Sequence, residues 1–372
     1  MKRTFGDCRN SAVPRLSLRL LAKTLAAAIL SFVAAAIGVP GSATAHEVAV
    51  RIMTQNMYQG TNFEKVFASK TPPEFVTAVT ESYLQVLASK PAERAAAVAR
   101  TIARERPDVV AVLEATILRT GQAPATGVAS DQLQALLAEL RRLGLHYETV
   151  AMLPGTDSEA PTLLGFDVRL TDRTHIIARA DLAGPRLRTS NMQVQDYLVN
   201  SVLNFPVGPP AITKAGWASV DVAVFGHAFR FADTHLEVIP PFTVQKAQAA
   251  EAIASVTNTT LPIVFVGDFN TVTGDPNHPT FPTYQLFLDA GFIDAWKQKF
   301  PSLPGFTCCQ SSDLLNPVSA LSARIDLILT RGAVSVADIK IVGDRASDRT
   351  PSGLWPSDHA GLVATLKFGG DD

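Results

Sequence analysis

Asp268 and Asn270, in the stretch Val264-Phe-Val-Gly-Asp-Phe-Asn270, sit where an apolar run rich in Val and Phe stops at Gly267. Such a run reads as a strand buried on both faces. Period-two alternation puts Asp268 and Asn270 on one face of that strand end, with Phe269 on the other. A carboxylate beside an amide makes a small oxygen-rich cluster. It fits a hard cation or a phosphate, or else a loop whose Asx side chains cap their own backbone. Recurrence separates these readings. Asn56, Glu114, His235, Asp326, and Asp358 with His359 also lie at the borders of apolar runs. Unpaired charge is costly to bury, so six polar strand ends point to one shared cleft.

The elements that must position these residues alternate strand and helix. Val48–Thr54 reads as a first strand running into Gln55–Gly60, and residues 73–106 carry helical spacing that Pro107 stops. Asp108–Leu113 is a buried strand ending on Glu114, and a second helix spans Ser130–Leu143. From Gly155 to Gly216 the pattern loosens into hairpins and loops near the mouth, where Arg173, Lys214 and Trp217 lie. Strands Trp217–Phe225 and Phe229–Leu236, a helix Val244–Ser255, the strand Leu261–Val266 and a helix Thr283–Ala290 follow. A long loop, Phe300–Ala323, leads to the strands Arg324–Leu329 and Leu362–Phe368. The chain has no internal repeat, and no Gly-x-Gly-x-x-Gly follows the first strand, so a dinucleotide-binding fold is not indicated.

The first 45 of the 372 residues have the three parts of a secretory signal peptide. Six basic side chains up to Lys23 precede an apolar run, Leu25–Val39, and then Ala43-Thr-Ala45. Cleavage is expected after Ala45, leaving residues 46–372 as one catalytic domain, secreted or periplasmic, without a transmembrane segment. An uncleaved anchor is the alternative. The mature chain would carry 27 Lys and Arg against 33 Asp and Glu, a net charge of −6. That lends no support to binding nucleic acid mainly by counterion release, although a local basic patch or a bound metal could still accommodate phosphate. Cys308 and Cys309 remain, too few for a disulfide scaffold. A vicinal disulfide and two free thiols are both open readings.

In this order, PDVVAVLEA, DTHL, VGDFN, ARIDLIL and PSDHAG resemble the successive motifs of the endonuclease/exonuclease/phosphatase superfamily. That group contains pancreatic-type deoxyribonucleases, abasic-site endonucleases, neutral sphingomyelinases and inositol polyphosphate phosphatases. The resemblance runs from about Val48 to Phe368. It implies an α/β four-layer sandwich, two packed mixed β-sheets flanked by helices, and Mg²⁺-dependent cleavage of a phosphate ester, with Mn²⁺ or Ca²⁺ as alternatives. Glu114 matches the metal-binding glutamate, and Asp358 the second metal-side carboxylate. Asp268 and Asn270 match the pair that handles the attacking water and the phosphate. His359 matches the catalytic histidine, and Asp326 the carboxylate that orients it. Asn56 matches the first-strand asparagine near metal and phosphate, and His235 a histidine contacting phosphate or leaving oxygen.

Two positions depart from the pattern. Tyr58 stands where some members have aspartate, and Leu113 where many have glutamine. The chemistry accounts for the residue types, because a phosphodiester transition state needs its charge neutralised by a carboxylate-held Mg²⁺ and by hydrogen-bond donors. Whether His359 or Asp268 is the base stays open at this point. The expected function is an exported phosphodiesterase acting on nucleic acid. A phospholipid or sphingomyelin head group, or a small phosphate ester, is the alternative, and a silent binding module that kept the fold is a second. No stable protein partner is implied.

Overall fold

The computed structural model describes residues 48–182, 184 and 186–368. The expected signal segment, 1–45, lies outside them. Two mixed β-sheets face each other. In the first, Val48–Asn56 is central, antiparallel to Gly361–Phe368 and parallel to Val109–Leu113. Val334–Val342 flanks it on one side and Asp167–Arg179 on the other. In the second, Ile263–Asp268 lies parallel to His227–His235 and antiparallel to Asp326–Arg331. Gly216–Val224 and Arg188–Asp196 extend that sheet.

Alternation along each strand builds the layers. Val50, Ile52, Ala111, Phe229, Phe231, Val264, Val266, Ile328, Leu362 and Ala364 point into the space between the sheets. Met53, Val110, Val112 and Val363 point out of the first sheet, under the helices Pro91–Glu105 and Gln132–Arg142. Ala232, Phe265, Leu327 and Leu329 point out of the second, under Thr243–Val256 and Phe281–Asp289. Helix, sheet, sheet, helix is the four-layer order that the motifs imply. Phe265 packs edge-on against Phe269 and Phe287 at 5.4 and 5.7 Å between centroids. Truncating a side chain so enclosed costs about 3–5 kcal/mol.

Local signals explain the helix ends. Thr71 and Glu74 form a capping box at the start of Pro72–Ala88. Asp131 caps the next turn by accepting from the Gln134 backbone N–H at 3.1 Å. Its helix then buries Leu133, Leu136, Leu137 and Leu140, one stripe at helical spacing.

Three expectations are corrected. Residues 73–106 form two helices, because Pro91 excludes a helical Lys90, whose φ is 46°. Much of the region expected as hairpins and loops is regular: Tyr147–Pro161 and Asp167–Arg179 make a long antiparallel ribbon in the first sheet. Residues 154–161 are all exposed or half-buried, so they carry no apolar alternation. The strand Ile263–Asp268 ends before Asn270, whose φ of 49° takes it out of the alternation.

Candidate active site

The apolar stripe between the sheets becomes polar at one end. On the first strand Val50 and Ile52 are followed by Thr54 and Asn56. On the second sheet Val264 and Val266 are followed by Asp268, and Phe229 and Phe231 by Asp233 and His235. His235, Asp268 and Asp326 pair in register across three neighbouring strands, so they form one row on the inner face. Gly267 permits this. Its φ is 134°, and a Cβ there would collide with the Thr234 carbonyl and lie 3.0 Å from Asp233 Oδ1.

Contacts tie the row to the first sheet. Asn56 Nδ2 donates to Glu114 Oε1 at 3.1 Å and to Asp268 Oδ2 at 3.3 Å. The Tyr58 backbone N–H fixes that amide by donating to Asn56 Oδ1 at 2.8 Å. The Gln59 backbone N–H donates to Glu114 Oε2 at 2.8 Å. His359 Nδ1 lies 2.8 Å from Asp326 Oδ2 and 3.8 Å from Asp268 Oδ2. His235 Nε2 is 3.6 Å from the same Asp268 oxygen. Asp268 is thus the hub, touched from both sheets.

Burial and charge pull these groups in opposite directions. Burial raises the Asp268 carboxyl to about 6, and Asp326 adds repulsion while the two histidines pull it down. Burial raises Asp358 to about 7, with His359 opposing and Glu114 adding to the rise. Burial alone would lower the His359 imidazole, yet Asp326, Asp358 and Asp268 outweigh it and hold it well above its usual value. His235 also rises despite burial, through Asp268, Glu114 and Asp172.

The expected residues do not all meet alike. Asn56, Glu114, Asp268, Asp326, His359 and His235 are linked by direct contacts. Asp358 joins through charge, and its carboxylate accepts from Ser357 Oγ at 3.3 Å. Asn270 stands next to the row with its amide committed to the Leu236 carbonyl at 2.8 Å, while its backbone N–H donates to Asp268 Oδ1 at 2.9 Å. Of the candidates at the mouth, Arg173 is paired with Asp131 at 2.7 Å, and Trp217 is buried in the outer core of the second sheet.

Two buried groups belong beside the site that the motifs did not nominate. Asp233 is fully buried, its two carboxylate oxygens lack a partner, and burial lifts its pKa far above the carboxylate range. Its signal was its position two residues before His235, on the same strand face. Arg94 is also fully buried. It donates to the Met57, Tyr58, Ser89 and Pro356 carbonyls, joining the loop after Asn56 to the loop before Asp358. A charge on the apolar stripe of Ala95, Val98 and Ile102 was the available clue.

A divalent ion fits the donors present. Asp358 accepts one long hydrogen bond and is pushed towards neutrality, in part by Glu114. A hard cation between such carboxylates would remove that repulsion. Asp268, Asp326 and His359 also bring three ligand atoms within 4.8 Å of one another, and Asp326 Oδ1 is buried without a partner.

Layers, row and motif order together define a phosphoesterase fold. The sequence profile of the Endonuclease/Exonuclease/phosphatase family matches residues 53–359, and the chain belongs to that family. Its members hydrolyse phosphate esters and are generally dependent on divalent metals. Solved structures share the fold. An endonuclease/exonuclease/phosphatase from Beutenbergia cavernae aligns at 20% identity, covering 87% of this chain and 72% of that one, with a TM-score of 0.54. A family protein from Bacteroides thetaiotaomicron aligns at 14% identity, covering 87% and 96%, with a TM-score of 0.54. A mannosyl-6-phosphatase from the same species aligns at 15% identity, covering 85% and 99%, with a TM-score of 0.51. No curated protein sequence matches the chain.

Proposed function

We propose that the chain is an exported, Mg²⁺-dependent phosphodiesterase whose first substrate class is nucleic acid. The observation that carries the reaction is the inner-face row of His235, Asp268 and Asp326, with His359 held 2.8 Å from Asp326. Export rests on the signal-like segment, and among the described residues no helix is long and apolar enough to cross a membrane.

The charges divide the labour that the sequence left open. His359, held well above its usual value by the carboxylates that face it, is the group that keeps a proton and donates. Asp268, raised to about 6 by burial, is the carboxylate placed to accept, so it takes the proton of the attacking water. Asp326 engages Nδ1 of His359 and leaves Nε2 to meet a phosphoryl or leaving oxygen. His235 supplies a second donor beside Asp268, its affinity for a proton raised by the neighbouring carboxylates, and Asn270 holds Asp268 Oδ1 through its backbone N–H. Glu114, Asp358 and Asn56 would hold Mg²⁺. When bound, it supplies positive charge against the phosphate oxygens.

One observation favours a phospholipid head group as a second reading. Ser201–Leu203 and Ala211–Thr213 form a separate two-stranded hairpin in which Val202 pairs with Ile212. These side chains are 56% and 53% exposed. Thr213 Oγ1 donates to Glu237 Oε2 at 2.5 Å, which tethers the hairpin two residues beyond His235. Paired exposed apolar side chains beside a site fit a lipid surface. Supercoiled plasmid and sphingomyelin vesicles, each with Mg²⁺ and with EDTA, separate the readings. Metal-dependent nicking supports the first, release of the head group supports the second, and hydrolysis of neither by a folded chain contradicts both.

A further inference from the structure

The chemistry above uses neither cysteine. Cys308 and Cys309 are bonded to each other. A bridge between adjacent residues closes no loop of chain, so it contributes none of the entropy for which disulfides stabilise a fold. Its position is more telling than its strength. Cys308 pairs through its backbone with His359 on one side and Ala323 on the other. The flanking bonds, Ala360 N–H to the Thr307 carbonyl at 2.7 Å and Gln310 N–H to the Asp358 carbonyl at 2.8 Å, stitch this segment along Asp358–Ala360. Cys308 is buried and Cys309 is exposed, so solvent reaches the pair from one side.

The two sulfurs and a ring nitrogen of His359 all lie within 4.8 Å of one another. Zinc–sulfur and zinc–nitrogen bonds of about 2.3 and 2.0–2.1 Å place tetrahedral ligands roughly 3.3–3.8 Å apart, so the two bonded sulfurs must be reduced and separate before both can ligate one ion. Histidines that bind such metals usually give their other ring N–H to a carboxylate, and Asp326 already occupies Nδ1 of His359 at 2.8 Å. Two sulfurs and one imidazole select a thiophilic ion over Mg²⁺, which takes oxygen ligands.

We propose that Cys308, Cys309 and His359 form a binding site for one thiophilic divalent cation of the zinc or cadmium class, open only when the cysteine pair is reduced. An external dithiol reduces it. The S–S bond breaks, two electrons and two protons pass to the cysteines, and the reductant becomes a disulfide. Metal binding then releases both thiol protons and the second ring proton of His359 to solvent, and leaves two thiolates and a neutral imidazole on the ion. The ion takes the nitrogen that His359 presents to substrate. Only this inhibitory consequence rests on the catalytic reading of His359; the binding site does not.

The test titrates Cd²⁺ into the metal-free chain, once reduced with a phosphine and once oxidised, following thiolate-to-metal charge-transfer absorption. One equivalent should bind to the reduced chain and none to the oxidised one. Cys309→Ser, at an exposed position, should abolish the absorption. His359→Ala should weaken binding roughly 10- to 100-fold. No absorption from the reduced, folded chain would overturn the site, and affinity unchanged in His359→Ala would remove the histidine from it. Under reductant, Zn²⁺ should inhibit phosphodiester hydrolysis by the native chain and spare Cys309→Ser. Equal inhibition of the oxidised chain would break the link to the cysteines. A chain without hydrolytic activity would leave the Cd²⁺ result standing, so the two readings fail separately.

Discussion

His175 and His359 are both buried in the sandwich, at 4% and 8% exposure, and their surroundings could hardly differ more. His175 lies on Asp167–Arg179 opposite Val112, and neither ring nitrogen has a partner. Burial, with Arg173 nearby, drives its pKa down to about 3. His359 feels the same burial, but three carboxylates face it and its pKa moves the other way. Burial alone makes a neutral filler of an imidazole, whereas burial among acids makes it a charged donor. Histidine as a residue type therefore says little about chemistry until its neighbours are known.

Breaking the contrast at its charged side has the largest expected effect. His359→Ala should lower turnover about 10²- to 10⁴-fold while far-ultraviolet circular dichroism and melting temperature hold. A loss below about 10-fold would remove His359 from the mechanism. Asp326→Asn should come next, with a loss of about 10²-fold, because it removes the carboxylate nearest the imidazole. The pH–rate profile should also show the imidazole titrating lower, and an unmoved profile would make Asp326 a mere strand-end cap. Asn56→Ala should raise the Mg²⁺ needed for half-maximal rate roughly 10- to 100-fold and change the rate at saturation less. Calorimetric titration of the metal checks this independently of turnover.

The smallest effect on catalysis should come from the neutral side. His175→Leu should leave activity unchanged and alter only the response to acid. The folded pKa, about 3, lies below the ordinary 6.5, so the unfolded chain binds the proton first as pH falls. Stability contributed by neutral His175 is complete above pH 6.5 and is lost towards pH 3, at up to about 1.4 kcal/mol per pH unit. Denaturant titrations at pH 7 and pH 5 should show the native chain losing more stability than His175→Leu. Equal losses would mean that His175 is solvated or partnered.

Much of the site was legible because strand alternation is rigid. Once Val264 and Val266 face inward, so must Asp268, and the same count places Asn56, His235 and Asp326. The count fails where the backbone leaves the extended region. Glu114 and Asn270 have φ of 51° and 49°, so alternation misplaced Asn270 and the roles of both rest on motif order. The long ribbon of Tyr147–Pro161 was hidden because none of residues 154–161 is buried. Arg94 was hidden for another reason: its partners are backbone carbonyls, which leave no trace in side-chain identity. Asp233 was readable by the same alternation as His235.

The most direct test of the central claim is hydrolysis of bis(4-nitrophenyl) phosphate by residues 46–372 across a Mg²⁺ titration, with EDTA as the zero point and His359→Ala alongside. The row of His235, Asp268 and Asp326 around His359 predicts saturable turnover that EDTA abolishes. The same row predicts a rate at least about 10²-fold lower in the folded variant. A folded chain that turns over equally in EDTA, or equally without His359, would contradict the claim.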